Sequence, residues 1–360
     1  MRLWGVTGTN GKTTTAWVLA EFLKSAYITT VEVNTLRRRF HTGYTTPPLK
    51  QLQEIYAEME SAGAKDCVME VSSHAIHQNR VGFGTVSTFC GGAFTNLSED
   101  HLDYHKTMEA YFDVKLDFAR RIAETSPGAP YVVCLDGGYG REMLAKVSRL
   151  DLNAIPVTRA APAFDLSELR LVGDYNQSNV LVAAALAEAA GVSRDDIQRI
   201  VPTLVPRWGR LEYVPCGSDA KVYVDFAHTP DGLEKVLRAA RGFTKGRLWV
   251  VFGAGGDRDP MKRPLMGEAC ARLADRVVVT SDNPRSEDPM KIIDNILSGI
   301  DGRSGIEVEP DRRKAIHLAL RGAQGGDVVL VCGKGHETTQ EIAGVKHPFD
   351  DREVVRAFNR

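Results

Sequence analysis

Apolar runs of four to seven residues alternate with segments whose apolar positions recur at helical spacing through nearly the whole chain. That alternation predicts parallel sheets covered by helices, because each buried strand needs a crossover to reach its parallel neighbour. The first part reads as strands near 2–7, 66–71, 87–94 and 131–135, with helices near 12–25, 49–62, 107–124 and 176–190. Two prolines in Val201-Pro-Thr-Leu-Val-Pro206 interrupt the pattern, which restarts after Arg210. Strands follow near 211–214, 221–225, 247–252, 276–280, 306–309 and 327–332, with helices near 230–242, 263–274 and 312–321. The class is α/β, with two domains expected at residues 1–205 and 206–360.

Composition narrows the function. Lys plus Arg number 45 against 46 Asp plus Glu, so no global field holds the chain on nucleic acid or an anionic membrane, and any bound anion must be gripped locally. No apolar run is long enough to enter and cross a bilayer. The stretch from Met1 to Thr7 is too short for a secretory leader, which points to the cytoplasm. The six cysteines show no Cys-x-x-Cys spacing, and most lie in strand-like runs, as buried reduced thiols do.

Gly8-Thr9-Asn10-Gly11-Lys12-Thr13-Thr14 follows an apolar strand and opens a helix. The order suits a nucleotide phosphate: glycines let backbone wrap the oxygens, helix N–H groups point at them, Lys12 neutralises charge and Thr13 reaches a magnesium ion. The general Walker A spacing is not met, since Val6 stands where its first glycine would be.

Other clusters carry chemistry in two readings each. Glu70 ends a buried strand before Ser72, where it fits either a magnesium ligand or a partner for a nearby base. The loop after the next strand gathers Asn96, Asp100, His101, Asp103 and His105, but lacks the spacing of a zinc site. By spacing alone, Lys115 is an exposed lysine with its stem on a helix surface. Asn176 and Asn179 open an alanine-rich helix, placed to bond an adenine edge or to cap the helix. Gly253-Ala-Gly-Gly-Asp-Arg-Asp259 lacks the glycine spacing of a dinucleotide fingerprint. With Asp282-Asn-Pro-Arg285 and Gly333-Lys-Gly-His-Glu337 it makes three charged loops after three apolar strands, each a solvated surface when taken singly but together pointing to a pocket for a zwitterionic substrate.

In their order, the phosphate loop, Thr45-Thr-Pro47, Met69-Glu-Val-Ser-Ser-His74, Thr95-Asn-Leu97, Asp100-His-Leu-Asp-Tyr-His105, Gly173-Asp-Tyr-Asn176, Asp225-Phe-Ala-His-Thr-Pro230, Gly255-Gly-Asp-Arg258 and the last two charged loops resemble the Mur ligases. These are ATP-dependent enzymes that add amino acids to the cell-wall precursor, and the likeness is to their tripeptide-synthetase branch. The resemblance implies a P-loop central domain with a mainly parallel sheet, followed by a Rossmann-like carboxy-terminal domain for the amino acid. It implies ATP and Mg2+ as cofactors, with Lys12 and Thr13 on phosphates and metal, Glu70 and His101 as metal ligands and Lys115 carbamylated. It also puts Asn176 and Asp225 near adenine and ribose, Thr45, Thr46, Ser72 and Arg80 on the nucleotide-peptide substrate, and Arg258, Asp282, Asn283, Arg285, Gly333 and Glu337 around the incoming amino acid.

The implied reaction adds meso-diaminopimelate to UDP-N-acetylmuramoyl-L-Ala-D-Glu through an acyl phosphate. Partners are then small molecules alone. A guanidinium at Arg285 fits the carboxylate at the far end of diaminopimelate, and Glu337 or Asp282 its ammonium. Lysine or ornithine as the added residue, a folylpolyglutamate or cyanophycin type of ligase, and a non-catalytic nucleotide-binding remnant are the competing readings. Family members also carry an amino-terminal domain that grips the uridine diphosphate, whereas here the phosphate loop starts at Gly8. That difference implies a shortened chain, or a nucleotide end held weakly or by a partner.

Overall fold

The first strand, β1 (Arg2–Thr7), is apolar from Leu3 to Val6 and buried from its second residue on, as a strand flanked on both faces must be. It sits at the centre of the first of two units, Met1–Leu204 and Val205–Arg360, in a computed structural model that describes residues 1–300 and 302–359. After β1 come α1 (Lys12–Leu23), β2 (Ala26–Ile28), β3 (Val33–Asn34), β4 (Arg39–Phe40), α2 (Leu49–Ser61), β5 (Asp66–Glu70) and α3 (Ser73–His77). The unit continues with β6 (Phe89–Phe94), α4 (Leu102–His105), α5 (Met108–Thr125), β7 (Pro130–Cys134), α6 (Gly140–Val147), β8 (Asn153–Val157), α7 (Asp174–Ala189) and α8 (Arg194–Ile200).

The sheet order is β4-β3-β2-β5-β1-β6-β7-β8. All pairings are parallel except those of β3 with β2 and β4. The chain therefore reverses direction across the sheet at β1, and the crevice outside its carboxyl end is where open α/β sheets bind ligands. Helices α1 and α7 pack together and are buried nearly all round, which their Ala, Val and Leu content predicts. Helix α5 is amphipathic instead, burying Tyr111, Phe112, Leu116, Ala119 and Ile122 along one stripe.

The second unit contains β9 (Glu212–Tyr213), β10 (Lys221–Asp225), α9 (Pro230–Arg241), β11 (Leu248–Phe252), α10 (Lys262–Leu273), β12 (Arg276–Val279) and α11 (Pro289–Leu297). It ends with β13 (Ile306–Val308), α12 (Arg312–Gly322), β14 (Val328–Cys332), a hairpin of β15 (Thr339–Ile342) and β16 (Val345–Pro348), and α13 (Asp351–Arg356). Its sheet order is β13-β12-β11-β14-β10-β9, parallel but for β9. Alternate strand residues face opposite helical layers. Val250, Phe252, Val279 and Leu330 pack with Leu233, Met266 and Ile293, while Val222, Val251, Val278 and Val331 pack with Ile316, Leu320 and Val355.

The α/β class with mainly parallel sheets is as expected. The pattern did not reveal β2–β4, α3, α4, α6, β8, α8, α11, the hairpin or α13, most of them too short to show a period. No disulfide links the cysteines; four are buried, and Cys90 and Cys216 are partly so. Among the described residues no helix is long and apolar enough to cross a membrane.

Candidate active site

The first cluster is built on the loop between β1 and α1. Thr9 N–H donates to the Asn96 carbonyl (2.8 Å), Asn10 N–H to Asn96 Oδ1 (3.0 Å), and the Thr95 hydroxyl to the Asn10 carbonyl (2.7 Å). The loop is thus laced to the end of β6. Gly11 has a left-handed φ of 85°, and a Cβ there would come within 2.2 Å of Asn179 Oδ1 on α7. A side chain would close the space between loop and helix, so glycine is required. Helix α1 has no side-chain cap and no acidic residue in its first turn, the condition in which a helix N-terminus receives an anion.

Two lysines converge on this loop. Lys12 Nζ donates to the carbonyls of Gly8 (2.9 Å) and Thr9 (2.7 Å), and Lys115 Nζ donates to the same Gly8 carbonyl (2.7 Å). Lys115 is 1% exposed and lies 4.6 Å from the centre of the Tyr111 ring, whose hydroxyl meets Thr9 Oγ1 at 3.2 Å. The exposed lysine expected from spacing alone is therefore wrong. Lys115 shares the buried stripe of α5, one turn from Tyr111 and Phe112. Burial first, and then the Lys12 charge, push its pKa well below the ordinary lysine value, against a smaller opposing pull from Asp100.

Glu70 ends β5 and is 1% exposed. Thr30 donates both its N–H (2.8 Å) and its hydroxyl (3.1 Å) to the carboxylate, so the partner is a threonine and not a base. The same threonine hydroxyl reaches Thr45 Oγ1 at 3.0 Å. Thr46 donates to the Glu70 carbonyl (2.8 Å) and accepts from Ser72 N–H (3.0 Å), which gathers Thr45, Thr46, Ser72 and Glu70 at one strand end. Arg80 lies past α3 with its guanidinium on Gln78 (2.6 Å).

His101 has a left-handed backbone (φ 56°) and its Nε2 is 3.5 Å from Asp100. Crowding by surrounding protein opposes its protonation, helped by the charges of Lys12, His74 and Lys115 and resisted by Asp100; the result is a pKa of about 4. His105 bonds Ser73 Oγ (2.9 Å) and stacks on Tyr111, so it does not join His101 in a zinc site. Among the described residues no three His, Cys, Asp or Glu side chains form a ready metal site. The donors fit magnesium all the same, an ion that takes one or two protein carboxylates and completes its shell with phosphate oxygens and water; Thr13 and Glu70 offer hard oxygens. Asn176 donates to the Val172 carbonyl (2.8 Å), and α7 has no side-chain cap, so the two asparagines do not cap it.

The second cluster lies at the carboxyl ends of the second sheet. Asp225 is buried at the end of β10, accepting from Leu211 N–H (2.6 Å) and Ala227 N–H (2.7 Å). Burial raises its pKa, against Arg210 and those two N–H groups. Asn283 Nδ2 donates to Glu337 Oε2 (2.8 Å), and the Gln340 side chain to the Asp282 carbonyl (2.7 Å). Arg285 donates to the Gly256 carbonyl and lies 3.9 Å from Glu341. Gly333 (φ 117°) leaves room for Asp282, whose Oδ2 would stand 3.1 Å from a Cβ. Arg258 is exposed and donates to the carbonyl of Asp257 next to it.

Residues that sequence reasoning passed over hold both clusters together: Thr30, Thr95, Tyr111 and Lys334. Lys334 is fully buried amid Asn283, Glu337 and Asp282, and behind it Arg312 forms a two-pronged pair with Asp351 while donating to the Cys332 carbonyl (2.9 Å). Lys334 falls within a motif already noted and Arg312 opens α12, yet nothing local shows that they turn inward.

Two family models match the chain: the Mur ligase middle domain over residues 6–167, and the Mur ligase glutamate ligase domain over 209–335. The UDP-N-acetylmuramoyl-L-alanyl-D-glutamate–2,6-diaminopimelate ligase of Synechococcus elongatus is 45% identical, with 99% of this chain and 76% of that protein aligned. The ligase of the same name from Aquifex aeolicus is 40% identical over 98% and 76%. A solved structure of a ligase of that name superposes with a TM-score of 0.63 at 33% identity, covering 99% of this chain and 77% of its own.

Proposed function

The chain belongs to the Mur ligase family, and from that premise we propose that it joins meso-diaminopimelate to UDP-N-acetylmuramoyl-L-alanyl-D-glutamate at the expense of ATP, in the synthesis of the peptidoglycan precursor. The observation that carries the reading is the meeting of Lys12 and Lys115 on the Gly8 carbonyl. The Lys12 ammonium on a glycine-lined loop at an uncapped helix N-terminus makes a site suited to a polyphosphate.

Residues 1–205 bind the nucleotide in this reading, through Gly8 to Thr14 and Asn176. Residues 206–360 bind the amino acid. A carboxylate is too poor an electrophile for amide formation, so its oxygen attacks the γ-phosphorus of ATP, giving an acyl phosphate and ADP. The amine of diaminopimelate then attacks the acyl carbon, phosphate leaves, and the amine proton passes to solvent. Lys12 orients the γ-phosphate and neutralises its charge, while Thr45, Thr46, Ser72 and Arg80 hold the nucleotide-peptide. Magnesium, held by Thr13, Glu70 and His101, would add charge neutralisation at the phosphate oxygens.

Lys115 has a second role here. A neutral amine is the form that adds carbon dioxide, and burial favours that form. Carbamylation then turns the side chain into an anion suited to a hard cation. Arg285, Asp282, Asn283 and Glu337 recognise the far end of diaminopimelate, with Gly333 and Arg258 at the edges. The test is phosphate release over an amino-acid panel with UDP-muramoyl-dipeptide as acceptor. Release that requires diaminopimelate supports the reading; preference for lysine or ornithine overturns the substrate, and no release with any amino acid overturns the activity.

A further inference from the structure

Lys334 lies between two glycines of positive φ, Gly333 at 117° and Gly335 at 53°, directly after β14. The turn is closed by Glu337 N–H donating to the Lys334 carbonyl (2.9 Å). A lysine in such a loop ordinarily points its ammonium at water, yet this side chain has no accessible surface. Its Nζ donates to Asn283 Oδ1 (3.0 Å) and Glu337 Oε2 (3.0 Å) and stands 3.6 Å from Asp282 Oδ1. Two hydrogen bonds and one close carboxylate thus surround the ammonium. Burying an ammonium is costly unless it is paired this fully.

We propose that Lys334 is the positioning residue that sets the charge and the geometry of the amino-acid pocket, making it select a net-neutral diamino diacid over a net cation. The proposal rests on the amino-acid-binding role given above to Asn283, Asp282 and Glu337. The geometry acts in two ways. Lys334 and the Glu341 N–H (3.0 Å) both donate to Asn283 Oδ1, which fixes the amide so that its Nδ2 faces Glu337 Oε2. That oxygen accepts from both Lys334 and Asn283, while Oε1 takes no donor among the described residues and is the oxygen left for an ammonium of the ligand. Charge is the second effect. Lys334 offsets one of the two carboxylates of Asp282 and Glu337, and without it the pocket gains a negative charge. Diaminopimelate carries two ammoniums and two carboxylates, whereas lysine carries a net positive charge and gains from that change.

The test compares the whole chain with its K334M variant by phosphate release and by calorimetric titration with diaminopimelate and with lysine. We expect KM for diaminopimelate to rise roughly 10- to 100-fold, KM for ATP and for the nucleotide-peptide to hold, and the preference for diaminopimelate over lysine to fall about tenfold or more. A lysine that merely fills the core would weaken both amino acids in proportion or change neither, and either result overturns the proposal. Should K334M not fold, K334Q keeps a donor for Asn283 without the charge and is read in the same way. Failure of both to fold also overturns it, in favour of a purely structural residue. The readings fail separately: a wild type that binds diaminopimelate without releasing phosphate defeats the ligase assignment, while an active wild type whose ranking survives in the variants defeats only the role of Lys334.

Discussion

Both clusters sit at the carboxyl ends of parallel strands, but they handle charge in opposite ways. On the phosphate loop two lysines share one backbone carbonyl, and burial, with the Lys12 charge, favours the neutral form of Lys115. In the second unit the charges are met in advance: Lys334 by Glu337 and Asp282, Arg263 by Glu287, Arg312 by Asp351. A loop of glycines and backbone N–H groups at a helix N-terminus suits a polyanion, whereas a pocket of paired side chains recognises a molecule that carries both signs. The difference follows from what each loop is made of. Glycine and backbone dominate the first, and paired side chains the second.

Breaking the first cluster should have the largest effect. Lys12→Ala is expected to lower ATP turnover by about 1,000-fold with an unchanged thermal midpoint, since it removes a phosphate-facing charge from a loop and no core contact. Turnover near that of the wild type would remove the phosphate-loop assignment. Lys115→Ala should fall next, by about 100-fold, and recover in part with short-chain carboxylates that replace the carbamate. Intact-mass measurement of the native protein without the added mass of carbon dioxide on Lys115 would end the carbamate argument.

The contrast also explains what the sequence made legible. The phosphate loop is contiguous, and strand, glycines, lysine and helix follow in order, so it was visible without a fold. Lys115 was not, because local spacing around it reads as an ordinary surface helix; the buried stripe through Tyr111, Phe112, Leu116, Ala119 and Ile122 contains it, and that period was the signal to weigh. Glu70 was visible, but its partner Thr30 lies 40 residues away and is set by the sheet. In the second unit the motif residues were found, while the inward turn of Lys334 depends on two positive φ angles that composition does not show.

Arg285 sharpens the comparison from the other side. Its guanidinium is a quarter exposed and only partly committed, to the Gly256 carbonyl and distantly to Glu341. Arg285→Ala should therefore cost roughly 10- to 50-fold in kcat/KM for diaminopimelate and much less for lysine or ornithine, with ATP affinity unchanged. If all three amino acids weaken alike, Arg285 holds the α-carboxylate common to them and the discrimination lies elsewhere, in the Lys334 network.

The smallest effect tests, through stability, how strongly the first cluster resists an added proton. His105 packs among His74, His77, Tyr104 and Tyr111, 7% exposed, and its pKa falls to about 4, first by burial and then by the nearby charges of His74, Lys115 and His77 against a small pull from Asp103. The unfolded chain takes up this proton near the ordinary histidine value of 6.5, while the folded chain resists it until about 4. Between those values the unfolded state holds more protons, so folding stability rises with pH and is lost as pH drops through the window. Replacement by an uncharged residue removes that slope. His105→Gln also loses the bond to Ser73, so absolute stabilities at one pH do not isolate the effect, whereas the change between two pH values does. Urea midpoints at pH 7 and pH 4.5 should show the wild type losing about 1–2 kcal/mol more than the variant. An equal loss in both would mean that His105 protonates freely in the folded state, against the burial that packs it between His74 and Tyr111.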